Sequence, residues 1–190
     1  MSRIVVTEFV SLDGVMEDPG GAEGSKHGAW TFKYERGPEG NKFKVDELFE
    51  ADALLLGRVT YQAFAKAWPS IKDPDFADRM NSIRKYVVSN TIKDSEATWG
   101  ETTVIRGDVP AEIAKLKARP GGNLLVHGSA RLARTLIEHG LVDDYRLMMY
   151  PVILGSGKRL YPEMDKTAAL KLVDAKVAGA GIVMLTYQPA

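Results

Sequence analysis

Two short stretches carry the same chemical signature. Ala53-Leu54-Leu55-Leu56 runs into Gly57-Arg58-Val59-Thr60, and Asn123-Leu124-Leu125-Val126 runs into His127-Gly128-Ser129-Ala130-Arg131. In each, an apolar strand stops at a glycine and is followed by a hydroxyl residue suited to a helix N-cap, Thr60 or Ser129, with an arginine beside it. The glycine lets backbone approach a ligand closely. The first N–H groups of the helix have no partner within it, so such a junction attracts anions, phosphate above all. Arg131 and Arg134 stand in the first turns after Ser129, where a cation is unfavourable against the helix dipole unless an anion or carboxylate lies nearby. That placement points to a bound anion. A plain strand-to-helix crossover with solvated arginines carries the same pattern, and the stretch alone leaves both open.

Other candidate groups fall at further strand ends. Ser11-Leu12-Asp13-Gly14 follows the apolar-rich run Ile4 to Val10, and Asp13 reads either as a proton relay with a raised pKa in a closed site or as a turn-forming aspartate before glycine. Ser89-Asn90-Thr91 ends a third strand and Arg106 a fourth. From Val15 to Gly40 the chain is a long irregular loop whose aromatics, Trp30, Phe32 and Tyr34, suggest a lid or pocket wall. Trp30 and Phe32 either stack on a flat heterocycle or anchor the loop. His127 reads as a satisfied buried histidine. His27, His127 and His139 have no metal-ligand spacing, and with no cysteine the chain has no thiolate nucleophile, disulfide or Cys-based zinc site, so no metal is expected. Val152-Ile153-Leu154-Gly155-Ser156-Gly157-Lys158 looks like a phosphate loop but is not one: Val152 stands where its first glycine is needed and Arg159 where Ser or Thr is required.

The elements that must position these groups alternate. Strands are expected at Ile4 to Val10, Ala53 to Leu56, Tyr86 to Val88, Thr102 to Ile105, Asn123 to Val126 and Asp143 to Tyr150. Helices are expected at Asn41 to Glu50, from Thr60 to Trp68, Pro74 to Ile83, Pro110 to Lys117, and from Ser129 to Gly140, where Leu132, Ala133, Leu136 and Ile137 share one face. Leu170 to Val177 and Ile182 to Tyr187 read as a closing antiparallel hairpin. This is an α/β fold: a mostly parallel sheet covered on both faces, with antiparallel strands added at the end. Its 190 residues fit one domain. Twenty-five basic and 25 acidic residues cancel, so nothing overall favours nucleic acid or an anionic membrane surface. No apolar run approaches spanning length and the start resembles no signal peptide, so a cytoplasmic protein is expected. Ligands of such sheets bind beyond the strands' carboxyl ends, and the groups gathered there suit an extended, phosphate-rich ligand such as a dinucleotide.

In order along the chain, Ser11-Leu12-Asp13-Gly14, Leu56-Gly57-Arg58-Val59-Thr60-Tyr61, Ser89-Asn90, Val126-His127-Gly128-Ser129-Ala130 and Pro151-Val152-Ile153-Leu154-Gly155 resemble the dihydrofolate reductase-like superfamily. The closest likeness is to its bacterial branch related to the C-terminal reductase domain of the bifunctional riboflavin biosynthesis deaminase-reductase. The resemblance covers nearly the whole chain and implies a three-layer fold with a twisted, mainly parallel sheet that binds NADPH. It implies reduction of a small heterocyclic substrate, foremost 5-amino-6-(5-phosphoribosylamino)uracil. Dihydrofolate or another pterin is the alternative, and a nucleotide-binding module without catalysis a further one. By match, Gly57, Arg58 and Thr60 are phosphate-binding, Ser89 and Asn90 contact the adenosine ribose 2′-phosphate, and Gly128, Ser129, Ala130 and Arg131 form the pyrophosphate turn, with Gly-Ser in place of the usual paired glycines. Gly14 to Met16 matches the mobile loop that closes on nicotinamide, with Asp13 the catalytic candidate and Trp30, Phe32 and Leu154 lining the substrate. Two departures stand out. The first helix shows no carboxylate where dihydrofolate reductase keeps its substrate-binding acid, Asp46 and Glu47 being shifted, and the acidic-proline motif of the riboflavin reductases is absent. Relatives imply a homodimer through the C-terminal strands.

Overall fold

In the computed structural model, which describes residues 1–161, 163–164 and 167–190, all the expected strands join one eight-stranded sheet. In chain order the elements are β1 (Arg3–Ser11), α1 (Gly37–Phe49), β2 (Ala51–Gly57), α2 (Arg58–Ala67), α3 (Phe76–Ser82), β3 (Arg84–Val88), β4 (Thr102–Ile105), α4 (Val109–Ala118), β5 (Asn123–His127), α5 (Ala130–Glu138), β6 (Asp144–Tyr150), β7 (Leu170–Ala178) and β8 (Ile182–Pro189). Across the sheet the order is β4-β3-β2-β5-β1-β6-β8-β7. Strand β8 runs antiparallel to both its neighbours and every other pairing is parallel. The carboxyl ends of β4, β3, β2, β5 and β1 therefore share one edge, where parallel sheets place their ligands.

Side chains alternate between the two faces of a strand. Val5, Leu54, Leu56 and Leu125 meet Leu48 of α1, Tyr61 of α2 and Met80 of α3. Ile4, Val6, Leu55 and Val126 meet Ile113 of α4 and Leu132, Ala133, Leu136 and Ile137 of α5. Both faces of the central strands are thus buried, which is why they read as continuous apolar runs. A third cluster, on the α1 side, joins Trp30 to Met148, Tyr150, Ala178, Ile182 and Met184.

Two expectations need correction. Helix α1 starts at Gly37, one turn before Asn41, because Pro38 falls in the first turn, where a missing N–H costs nothing. Helix α2 starts at Arg58 with Gly57 as its N-cap, so Thr60 lies inside the first turn and caps nothing. The parallel strands are covered on both faces as expected, and only the added hairpin is open. On the α4 and α5 side β7 extends past the helices, leaving Leu172 50% and Val177 70% exposed.

The long loop is organised by one buried aspartate. Asp18, at a left-handed φ of 50°, accepts hydrogen bonds from the Glu23 and Ser25 N–H groups at 2.9 Å each, and its own carbonyl accepts from Gly21 and Ala29. Trp30 then donates its indole N–H to the Glu17 carbonyl at 2.9 Å.

Candidate active site

At the shared edge, β2 and β5 end side by side and the helices that follow are lashed together. The Ser129 hydroxyl accepts from Gly57 N–H at 2.9 Å and donates to the His127 carbonyl at 3.0 Å. Ser129 N–H donates to Thr60 Oγ1 at 3.0 Å. Ser129 occupies the N-cap position of α5 but with φ 58°, and its hydroxyl, turned toward β2, does not cap the helix. That corrects its expected role. A left-handed serine costs about 1–2 kcal/mol, strain of a kind that collects at functional sites. Gly128 is also left-handed, at φ 55°, and a Cβ there would come within 3.2 Å of Thr60 Oγ1.

Neither α2 nor α5 has a side-chain cap. Two helix N-termini with free N–H groups therefore lie next to each other, and their dipoles add. Arg58 and Arg131 flank them. Among the described residues Arg58 contacts only Gln62, at 3.0 Å, and neither arginine pairs with a carboxylate. Arg134, by contrast, pairs with Glu138 at 2.7 Å. One strand outward, Ser89 Oγ accepts from the Thr91 and Ile92 N–H groups at 3.1 Å, and Asn90 Oδ1 accepts from Gly107 N–H at 3.0 Å. Arg106 is committed to the Ile92 carbonyl and Asp94. The donor set fits a dinucleotide's pyrophosphate: unpaired N–H groups, a close-approach glycine and two cations without acids.

Asp13 is bound up in the loop beside β1. Its carboxylate accepts from the Ser11 hydroxyl at 2.6 Å, Leu154 N–H at 3.1 Å and Gly155 N–H at 2.8 Å. These bonds, the Ser11 hydroxyl first, hold its pKa down to about 2, so the raised value expected of a relay is not present. Gly14, Val15 and Met16 are stitched to the chain opposite: Leu160 N–H donates to the Gly14 carbonyl, Met16 N–H to that of Lys158, and Val15 bridges Arg159. Met16 and Trp30 are buried, Leu154 is half-buried and Phe32 is 78% exposed. Trp30 meets Tyr150 edge-on, with ring centroids 5.3 Å apart. It therefore anchors the loop, one of the two roles open to it.

The sheet beneath the turn holds charges that sequence reasoning missed. On the α1 side, Lys44 Nζ donates to Thr7 Oγ1 at 2.9 Å and is ion-paired with Glu47, to which the Thr7 hydroxyl also donates. All three are buried. Thr7 is the register partner of His127, whose Nε2 is buried without a hydrogen-bond partner among the described residues, so at that nitrogen His127 is not the satisfied histidine expected. Burial pushes its pKa well below the ordinary value, and the Lys44 charge adds to the shift. On the opposite face Glu8 accepts from Gly128 N–H at 3.0 Å, while its other oxygen has no hydrogen-bond partner among the described residues. Burial pushes its pKa well above the usual carboxylate range. A glutamate inside an apolar strand, and Lys44 and Glu47 three residues apart on one helix face with Leu48, were the available signals.

Strand order, the glycine turn after β5 and the closing hairpin define a dihydrofolate reductase-like fold. Residues 2–184 match the RibD C-terminal domain family, and the chain belongs to it. It is 30% identical over 189 residues to the Bacillus subtilis protein YyaP, covering 97% of this chain and 94% of YyaP, and 26% identical over 181 residues to YwjB of the same organism, covering 95% and 94%. A candidate riboflavin biosynthesis protein from Shewanella sp. PV-4 superposes with TM-score 0.79 at 20% identity, over 99% of each chain. Dihydrofolate reductase from Enterococcus faecalis, solved with NADP(H), superposes with TM-score 0.58 at 16% identity, over 98% of this chain and 96% of that one.

Proposed function

We propose that this chain is an NADPH-dependent reductase of a small heterocyclic substrate, of the 5-amino-6-(5-phosphoribosylamino)uracil reductase type. The observation that carries this reading is the pair of uncapped helix N-termini at adjoining parallel strand ends, flanked by Arg58 and Arg131, neither of which pairs with a carboxylate among the described residues. Arg58, Thr60, Ala130 and Arg131 would hold the pyrophosphate, Gly57, Gly128 and Ser129, whose N–H groups are spent inside the turn, would shape its seat, and Ser89 and Asn90 would hold the 2′-phosphate. The bound cofactor supplies a hydride. Gly14 and Met16 border the nicotinamide end, and Asp13 positions the facing Leu154 backbone rather than moving protons. Phe32 and Leu154 are the remaining substrate-wall candidates.

A uracil is favoured over dihydrofolate because Glu47, the buried carboxylate of α1, is sealed by Lys44 and Thr7 and is not free to grip a pterin. Asp13's commitment to its loop favours a second reading, a nucleotide-binding module without turnover. The deciding assay follows NADPH absorbance with the ribosylaminouracil and, separately, dihydrofolate. Oxidation with the first alone is expected, and tight NADPH binding without oxidation by either would support the module. The exposed apolar side chains Leu172 and Val177 on β7 support a homodimer through the C-terminal strands. No described helix is long and apolar enough to cross a membrane, which accords with a cytoplasmic enzyme.

A further inference from the structure

If Asp13 cannot supply a proton, another group must. A buried ion pair returns little stability, because desolvation offsets the Coulomb gain, so the Lys44–Glu47 pair is weak as a structural device. Its position is informative. An ammonium has three N–H donors. Lys44 spends one on Thr7 Oγ1 and one on Glu47, and among the described residues no acceptor takes the third. Its Nζ lies over the face of the Phe9 ring, 5.0 Å from the centroid, a cation–π contact that leaves the third N–H without an oxygen or nitrogen acceptor. The residue it holds, Thr7, is paired across the ladder with His127, the last residue before the Gly128-Ser129 turn. His127 Nε2 is buried and unpartnered on the same edge. A donor that faces only an aromatic ring and an imidazole nitrogen without a partner among the described residues thus lie on one face of the sheet, beside the strand end that leads into the cofactor turn.

We propose that Lys44, held on the Thr7 hydroxyl by Glu47, is the catalytic proton donor to the substrate, with His127 Nε2 as a second polar contact. The inference rests on the reductase reading. In the ribosylaminouracil the reducible bond is the C1′=N imine formed when the sugar ring opens, and the reductant is a reduced nicotinamide dinucleotide. As the substrate carbon gains the hydride, the π bond breaks and its electron pair moves to the nitrogen. The Lys44 Nζ–H bond breaks, the new N–H bond forms, and the neutral amine regains a proton from solvent.

The test combines a resonance of the chain with turnover. In protein labelled with 15N-lysine, the Nζ signal of Lys44, assigned by its loss in Lys44→Arg, should shift when 5,6-diaminouracil is added. Lys44→Met should lower turnover of the ribosylaminouracil at least about 100-fold with NADPH affinity unchanged, and ethylamine should restore at least about tenfold to Lys44→Ala. Because Lys44→Met leaves Glu47 buried and unpaired, the Lys44→Met/Glu47→Gln double variant, which holds no lone charge, is assayed beside it and should be as slow. An active wild type with an equally active double variant, or an unmoved Lys44 signal, would overturn the role of Lys44 and leave the reductase reading standing. A wild type that binds NADPH but reduces no such substrate would overturn both.

Discussion

Arg58 and Arg131 are exposed, and neither has an acid partner among the described residues, so their removal should cost binding and spare the fold. Arg58→Ala and Arg131→Ala should each weaken NADPH about tenfold, ~1.4 kcal/mol, the scale of one charge-assisted hydrogen bond, while the melting temperature stays within a degree or two. Fluorescence titration at low salt checks this, and unchanged affinity would remove the residue from the site. Asp13 makes the opposite prediction. Its folded pKa, about 2, lies below its unfolded value, so the stability it contributes is present above about pH 4 and fades as pH falls toward about 2. Asp13→Asn should therefore unfold at lower denaturant than wild type at pH 7, and the gap should shrink at pH 2.5. An equal gap at both values would mean that the carboxylate's charge contributes nothing.

Among the elements, the junctions were the most legible part of the sequence, because a strand ending in glycine and opening a helix is a local pattern. Thr102–Ile105 was read to the residue, and α5 from the spacing of Leu132, Ala133, Leu136 and Ile137. What joins the elements was not legible. Asp13 meets Leu154 across 141 positions, and Glu8 meets Gly128 across 120, and no periodicity records such contacts. The same limit misplaced Ser129, which in a linear reading caps its own helix and in the fold ties Gly57 to His127. The consequence is testable with Ser129→Asp. As a simple cap, aspartate would be neutral or stabilising, but here the carboxylate cannot donate to the His127 carbonyl and faces it instead. A loss of about 1–3 kcal/mol is expected in denaturant titration of the cofactor-free protein, and equal stability would restore the capping role.

At the scale of the whole molecule, six strand positions with parallel pairing bring groups more than 100 residues apart onto one edge, and the antiparallel pair β7 and β8 closes the other end with apolar side chains exposed. Leu172→Lys with Val177→Lys should convert a dimer to a monomer in sedimentation without loss of secondary structure, since both residues are half-exposed or more. A wild type that sediments as a monomer would contradict the homodimer. The central claim is that the edge formed by β3, β2 and β5 holds a phosphorylated dinucleotide. Its most direct test is a thermal-shift titration of the wild-type protein with NADPH and NADH at matched concentrations, since a ligand that binds only the folded state stabilises it in proportion to the logarithm of its saturation ratio. NADPH should raise the melting temperature dose-dependently and NADH clearly less, because of the 2′-phosphate contacts proposed for Ser89 and Asn90. No shift with either cofactor would contradict the account.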